Sequence, residues 1–242
     1  MADRFDRRVA YGATGAEAID EGLRAYMLRV YNYMAVALVE TGLIAYGVSA
    51  WLASQGPDAI RAFYGSPLMW IVVLAPLGIV FYLSARINRM AFNTAQVWFW
   101  VFAGVMGLSL SSLFFVYTGA SIAKVFFITA ASFGSLSLYG YTTKRDISGW
   151  GSFLFIGLIG IIIASIVNIF LNSGALGFAV SVIGVLIFAG LTAYDTQRIK
   201  EMYMVSDSGE IAGKKAIMGA LALYLDFINL FIMLLRLLGN RN

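Results

Sequence analysis

Long apolar segments, separated by short polar connections, make up most of the chain. Seven can be marked, over about 30–52, 68–85, 94–117, 122–141, 150–171, 176–195 and 216–238. Each is about long enough for a helix to cross ~30 Å of hydrocarbon, which takes ~20 residues. The sixth segment can continue to about Met204, because the letters "RIKEMYM" are compatible with a helix. The pattern predicts an all-α integral membrane protein with seven transmembrane helices.

The composition agrees with a membrane location and limits the chemistry. Of the 242 residues, 60% are hydrophobic and 12% are charged, whereas soluble domains have about 25% charged residues. The chain has no cysteine and no histidine. This excludes disulfides, thiol catalysis, zinc sites built on these residues and a histidine general base. No cofactor-binding motif is present, so we expect no resident cofactor.

The basic residues are unevenly distributed between the two sides of the predicted bundle. The tail and the connections on its side contain twelve, namely Arg4, Arg7, Arg8, Arg24, Arg86, Arg89, Lys144, Arg145, Arg198, Lys200, Lys214 and Lys215. The opposite connections and the C-terminus contain Arg61 and Arg241. Because cytoplasmic connections are rich in Lys and Arg, we expect the N-terminus to be cytoplasmic. Residues 1–24 are expected to form a short polar tail and 25–242 the membrane domain.

Three acids fall within the apolar segments: Glu40, Asp195 and Asp226. An acid at the centre of a bilayer costs about 2.5–3.5 kcal/mol on insertion scales, so each is a candidate functional residue. Asp226 is expected near the midplane, roughly 16 Å along its helix from Lys215. Asn229, three residues further on, lies on the same helix face.

Asp195 and Asp226 can lie at similar depth if the sixth helix extends to Met204. Asp195 would then be ~14 Å from that end, and a short loop makes the sixth and seventh helices antiparallel neighbours. Two carboxyl groups in contact in a low-dielectric site cannot both ionise easily and would share one proton. Their oxygens also suit a hard cation such as Ca²⁺, although two acids are few for tight binding. The pair therefore indicates a permeation site or a pH-sensitive gate with weak Ca²⁺ affinity.

Several motifs carry a family resemblance. The sixth segment contains "GLTAYDTQRIK" and the seventh "LYLDFINLF"; "SLYGYTTKRDIS" follows the fourth, the fifth contains "LIGIIIASIVNIF", and the first contains "ETGLIAYGVS". Together they make the chain resemble the Bax inhibitor-1 family, also called transmembrane Bax inhibitor motif proteins, and its bacterial members in particular. The resemblance covers nearly the whole chain after the tail.

The resemblance implies a bacterial inner-membrane protein with a central seventh helix that acts as a pH-sensitive calcium leak. Calcium and protons would be its ligands. The family's paired acids match Asp195 and Asp226. An Arg at the second helix, which interacts with the acids in the closed form, corresponds to Arg86, for which a basic anchor at the membrane interface is the alternative interpretation. Glu40 matches no family role and is kept, with Asn229, as a candidate gate partner.

A second interpretation is a membrane interaction protein that modulates a membrane-bound protease or a stress or cell-death complex. Some bacterial relatives are associated with a membrane-bound AAA protease. An intramembrane aspartyl protease is disfavoured, because its second Asp lies in a GxGD motif and this chain has "LYLDF". A retinal protein would need a Lys in the seventh segment, which has none between Ala216 and Leu238. We therefore expect no enzyme. The net charge of +4 is explained by Lys and Arg in the connections that face the cytoplasm, so it does not indicate nucleic-acid binding. The same residues can in addition attract anionic lipid.

Overall fold

The computed structural model describes the backbone from Ala2 to Asn242 and the side chains from Ile19 onward. Within these residues the chain folds into α-helices joined by short connections. They are α1 (Ala2–Gln55), α2 (Pro57–Tyr64), α3 (Pro67–Arg86), α4 (Phe92–Leu110), α5 (Leu113–Val116), α6 (Gly119–Thr142), α7 (Trp150–Leu171), α8 (Gly174–Glu201) and α9 (Gly209–Leu238). Seven helical spans are long and apolar enough to cross a membrane, as the sequence predicts.

The helix boundaries differ from the apolar segments mainly at polar ends. Helix α9 begins at Gly209, about two turns before residue 216, because Ser208 caps it and accepts a hydrogen bond from the Ile211 amide at 3.4 Å. Helix α8 continues to Glu201, so Asp195 lies inside a helix and away from its end. The first and last turns of these helices are polar, so a search for apolar segments misses them although they are helical.

The third predicted span is interrupted where the sequence predicts one helix. Helix α4 ends at Leu110 and α5 begins at Leu113, with Ser111 and Ser112 between them. The Ser111 hydroxyl donates to the Leu108 carbonyl at 2.6 Å and is hydrogen bonded to the Tyr64 hydroxyl at 2.8 Å. Serine hydroxyls compete in this way for the carbonyls that continue a helix.

The predicted polar tail, residues 1–24, is only partly described. Met1 and the side chains of 2–18 lie outside the described residues, whereas the backbone from Ala2 belongs to α1. Tyr26, Met27 and Val30 are already buried in the core. The division of the chain at residue 24 stays a prediction.

Helix α9 is at the centre of the bundle. It packs against α1, α4, α6 and α8, while α3 packs on α4 and α7 on α8. Of the apolar window of α9, 67% is buried, compared with 28% or less in the other spans. This confirms a seven-helix bundle with a central C-terminal helix. Glycines permit the close packing: a Cβ at Gly219 would lie 3.0 Å from Ile199 of α8.

Candidate functional site

Asp195 of α8 and Asp226 of α9 meet inside the bundle. The two helices run antiparallel in close contact, as Gly184 lies against Met233 and Ile199 against Gly219. In this register the two carboxyl groups are within hydrogen-bonding reach of each other. Asp226 is buried, with 5% of its surface exposed, and Asp195 is half-buried. The contact that the sequence only permits is therefore present in the structure.

One oxygen of Asp226 is left without a hydrogen-bond partner. Within the described residues, Oδ2 of Asp226 is buried and accepts no hydrogen bond from an amide, hydroxyl or cationic donor, so the facing Asp195 carboxyl can pair it only by sharing a proton. The neighbouring residues on α9, Leu225 and Phe227, are apolar and offer none. Buried polar atoms are nearly always paired, so this oxygen is suited to a proton, a water molecule or a cation.

The described residues around the pair do not form a high-affinity metal cage. Among residues 19–242 there is no cluster of three or more acidic, histidine or cysteine side chains. Two carboxyl groups supply at most four oxygens, whereas Ca²⁺ takes about 6–8 oxygen ligands. A cation at Asp195 and Asp226 would thus keep part of its hydration shell. The site has the chemistry for weak, reversible cation contact.

Arg86 and Asn229, two further candidate gate residues, have surroundings that differ from those of the acid pair. Arg86 is exposed at the last turn of α3, a helix that packs on α4. Asn229 is half-buried, and its Nδ2 donates to the Leu225 carbonyl of its own helix at 2.8 Å. Their roles as gate partners stay predictions.

Glu40 is on α1 and lies on a different side of α9 from the Asp195–Asp226 pair. It is half-buried, and its Oε1 would lie 3.5 Å from a Cβ at Gly104 of α4. The next residue, Thr41, donates to the Ala103 carbonyl at 2.9 Å and is hydrogen bonded to the Tyr224 hydroxyl at 2.7 Å. Since the Thr41 proton is already used, Tyr224 is the donor in that bond. These contacts place Glu40 against α4, whereas Asp195 is on α8.

A chain of hydroxyl groups that ends at the residue after Asp195 was missed by sequence reasoning. Tyr31 of α1 is 2.7 Å from Ser137 of α6, and Ser137 is 2.9 Å from Thr196 of α8. Thr196 donates to the Thr192 carbonyl at 2.7 Å, so the donors run from Tyr31 inwards. Thr196 directly follows Asp195. Ser, Thr and Tyr are ordinary in apolar helices, and no signal in one sequence separates these three from the rest.

A comparison with known protein families identifies the family of this chain. The family model described as "Inhibitor of apoptosis-promoting Bax1" matches residues 23–242. The chain belongs to the Bax inhibitor-1 family. This confirms the resemblance carried by the motifs of the sixth and seventh spans, and the match includes both aspartates.

Bacterial relatives are similar over almost their whole length. An uncharacterized protein of Rickettsia prowazekii is 51% identical over 225 residues, which cover 93% of each chain. The inner membrane protein YbhL of Escherichia coli is 47% identical over 223 residues, 91% of this chain and 93% of YbhL. An uncharacterized protein of Caulobacter vibrioides is 45% identical over 234 residues, 92% of this chain and 91% of the relative. The present chain is likewise an integral membrane protein; the cytoplasmic position of its N-terminus stays a prediction.

Proposed function

We propose that this Bax inhibitor-1 family member is a pH-sensitive cation leak channel, with calcium as the permeant ion and the Asp195–Asp226 pair as gate and proton sensor. One observation carries the proposal: two carboxyl groups are in contact between the central helix and α8, and one oxygen of the buried Asp226 has no partner among the described residues. By analogy with YbhL, the bacterial inner membrane is its location, with the N-terminus on the cytoplasmic side.

Protonation of the pair supplies the gating step. With one proton between them, the carboxyl groups are joined by a hydrogen bond and hold α8 against α9. When the proton leaves, two negative charges remain in contact in a medium of low dielectric constant, and their repulsion is strong. The repulsion is relieved if the helices separate or if a cation enters between the carboxylates. Acid therefore favours the closed state, and alkaline pH favours the conducting state.

The small number of carboxylate ligands in the pair suits the passage of Ca²⁺ better than its tight binding. A permeation site must bind an ion well enough to admit it and weakly enough to release it. Asp195 and Asp226 alone give Ca²⁺ an incomplete shell, so a passing ion is readily released. Protons and Ca²⁺ then compete for the same oxygens, which couples flux to pH. We propose no resident cofactor and no enzymatic reaction.

The test is Ca²⁺ flux into liposomes that contain the full chain and a trapped fluorescent indicator. Flux is recorded from about pH 6 to about pH 8, where a shared proton on a buried carboxyl pair can titrate. We compare wild type with Asp195→Asn and Asp226→Asn, and use Asp58→Asn as the matched control. Asp58 is on α2, and 97% of its side chain is exposed. Monodisperse elution and a retained helical circular dichroism spectrum establish that each variant is folded.

We expect flux to rise with pH in wild type and in Asp58→Asn, and to lose its pH dependence in both pair variants. Absence of Ca²⁺ flux at every pH in folded wild-type protein would contradict the channel proposal. The alternative, a membrane protein that modulates a protease or a stress complex, would then take its place. Co-purification of a stoichiometric membrane partner is the measurement that supports that alternative.

A further inference from the structure

A groove separates α1 from α6 near one end of the bundle. Its volume is about 570 Å³, and it is lined mainly by apolar side chains of the two helices, with Arg24 among the lining residues. This volume is in the range of about 300–1,000 Å³ that is usual for small-molecule sites. Both helices are candidate membrane spans, so the groove opens towards hydrocarbon.

The groove has free space at its centre. Leu28 and Leu138 on its two sides are 51% and 63% exposed. On α6, one turn before Leu138, a Cβ placed on Gly134 would meet no atom within 4 Å. The groove therefore has free space beside α6 at Gly134, where an apolar chain can approach the helix backbone.

One cationic group lines an end of the groove, and a second contacts a residue of that end. Arg24 lines it from α1, and Tyr141 lines it from the last turn of α6. The Lys200 ammonium is bound to this tyrosine: Nζ donates to the Tyr141 carbonyl at 2.8 Å and lies 5.4 Å from the centre of its ring. The opposite end, at Met34 and Phe133, is apolar. The groove is thus complementary to a ligand with one anionic end and an apolar tail.

The polar groups on the floor of the groove do not need a ligand. The hydroxyls of Tyr31 and Ser137 are already bonded to each other and, through Thr196, to the Thr192 carbonyl. Recognition by hydrogen bonds in the middle of the groove is therefore not available. Apolar contact along the length and charge at one end are what remains.

We propose that the groove between α1 and α6 binds one acyl chain of an anionic phospholipid, whose phosphate is held by Arg24, with the nearby Lys200 ammonium on Tyr141 adding positive charge. Three features select this occupant: the groove lies on two candidate membrane spans, its lining is mainly apolar, and Arg24 is the one charged side chain among its described lining residues. The bound lipid lies against Tyr31 and Ser137, and Ser137 is hydrogen bonded to Thr196, the residue that follows Asp195 in sequence. This goes beyond the proposed leak, and its test does not depend on ion flux.

The measurement is native mass spectrometry of the full chain released from nanodiscs that contain equal amounts of phosphatidylglycerol and phosphatidylcholine. We compare wild type with Gly134→Leu, which fills the groove, and Arg24→Gln, which removes one cation. The matched controls are Gly160→Leu on α7, where a Cβ also meets nothing within 4 Å, and Arg89→Gln, an exposed basic residue after α3. A phosphatidylglycerol with a photo-reactive acyl chain then maps the bound chain by cross-linking.

Wild type and both controls are expected to retain one phosphatidylglycerol, several-fold over phosphatidylcholine, with cross-links on α1 and α6. Gly134→Leu should lose the retained lipid, and Arg24→Gln should lose the preference between the two headgroups. Equal retention of the two lipids by wild type would overturn the proposal. So would unchanged retention by Gly134→Leu, cross-links confined to other helices, or a protein dimer in place of a lipid adduct.

Discussion

The central helix makes two polar contacts, two residues apart, that differ in chemistry. Tyr224 and Asp226 are separated by about 200° around the axis of α9, so they face opposite ways. Tyr224 bonds Thr41 of α1, and Thr41 bonds the Ala103 carbonyl, so every proton in that contact has an acceptor. Asp226 meets Asp195 of α8 and keeps one unpartnered oxygen.

The difference separates a structural contact from one that can respond to conditions. A satisfied pair of neutral hydroxyls stays the same from acid to alkaline pH and stabilises the helix packing by about 1 kcal/mol. A pair of acids changes its charge and with it the sign of its interaction. Both occupy the same apolar helix, so the surroundings alone do not account for the contrast. The residue type does.

The largest effect on stability is expected at the contact between Tyr224 and Thr41. Tyr224→Ala removes a fully buried aromatic ring at the centre of the bundle and breaks the contact with Thr41. We expect the free energy of unfolding to fall by about 3–5 kcal/mol, as for other large aromatic truncations. Steric trapping in bicelles, at acid and at alkaline pH, measures it. A loss of under about 1 kcal/mol would show that Tyr224 is not a packing residue.

The second prediction concerns the interaction between the two aspartates. A double-mutant cycle with Asp195→Asn, Asp226→Asn and both together isolates their coupling in the free energy of unfolding. We expect a favourable coupling of about 1–3 kcal/mol at acid pH, where one proton joins the carboxyl groups, and an unfavourable one at alkaline pH. The same cycle on Tyr224→Phe and Thr41→Val is the control and should not change sign. A coupling that is equal at both pH values would remove the pair as a proton sensor.

The contrast between the outer and central helices shows how much the sequence can predict. Apolar length alone gives the seven spans, and it places α7 at residues 150–171, where the structure has it. It does not tell which helix is central: α7 is the most apolar span and has 11% of its window buried, whereas α9 has 67%. In lipid, apolar side chains gain little from leaving the surface, so polar and small residues indicate the interior better.

The candidate site was predicted in part for the same reason. The high cost of an acid in the membrane makes Asp195 and Asp226 conspicuous, and the antiparallel arrangement of their helices makes a contact reachable. The contact itself depends on the register of α8 against α9, which no local pattern encodes. The hydroxyl chain through Ser137 depends on three helices at once. The groove is open at Gly134 because glycine has no side chain. The sequence does not tell whether a neighbouring helix fills the space beside a glycine.

A smaller effect is expected from Tyr224→Phe. This change keeps the ring and removes one hydroxyl, and Thr41 keeps its bond to the Ala103 carbonyl. We expect a loss of about 1 kcal/mol in the free energy of unfolding, with the pH dependence of Ca²⁺ flux unchanged. The flux assay run beside Asp226→Asn checks this. A flattened pH profile in Tyr224→Phe would mean that the two faces of α9 are coupled.

The smallest effect is expected from Glu40→Gln, and it decides how far the gate extends. The sequence makes Glu40 a candidate gate partner, because it is the third acid within the spans. The structure places it half-buried against Gly104, next to the contact of Thr41 with Tyr224. An isosteric change there removes a charge and leaves the packing intact, so we expect under about 0.5 kcal/mol in unfolding and no change in the pH profile of flux. A shifted profile would instead make Glu40 a member of the gate and would extend the pH-responsive region to the side of α9 that faces α1 and α4.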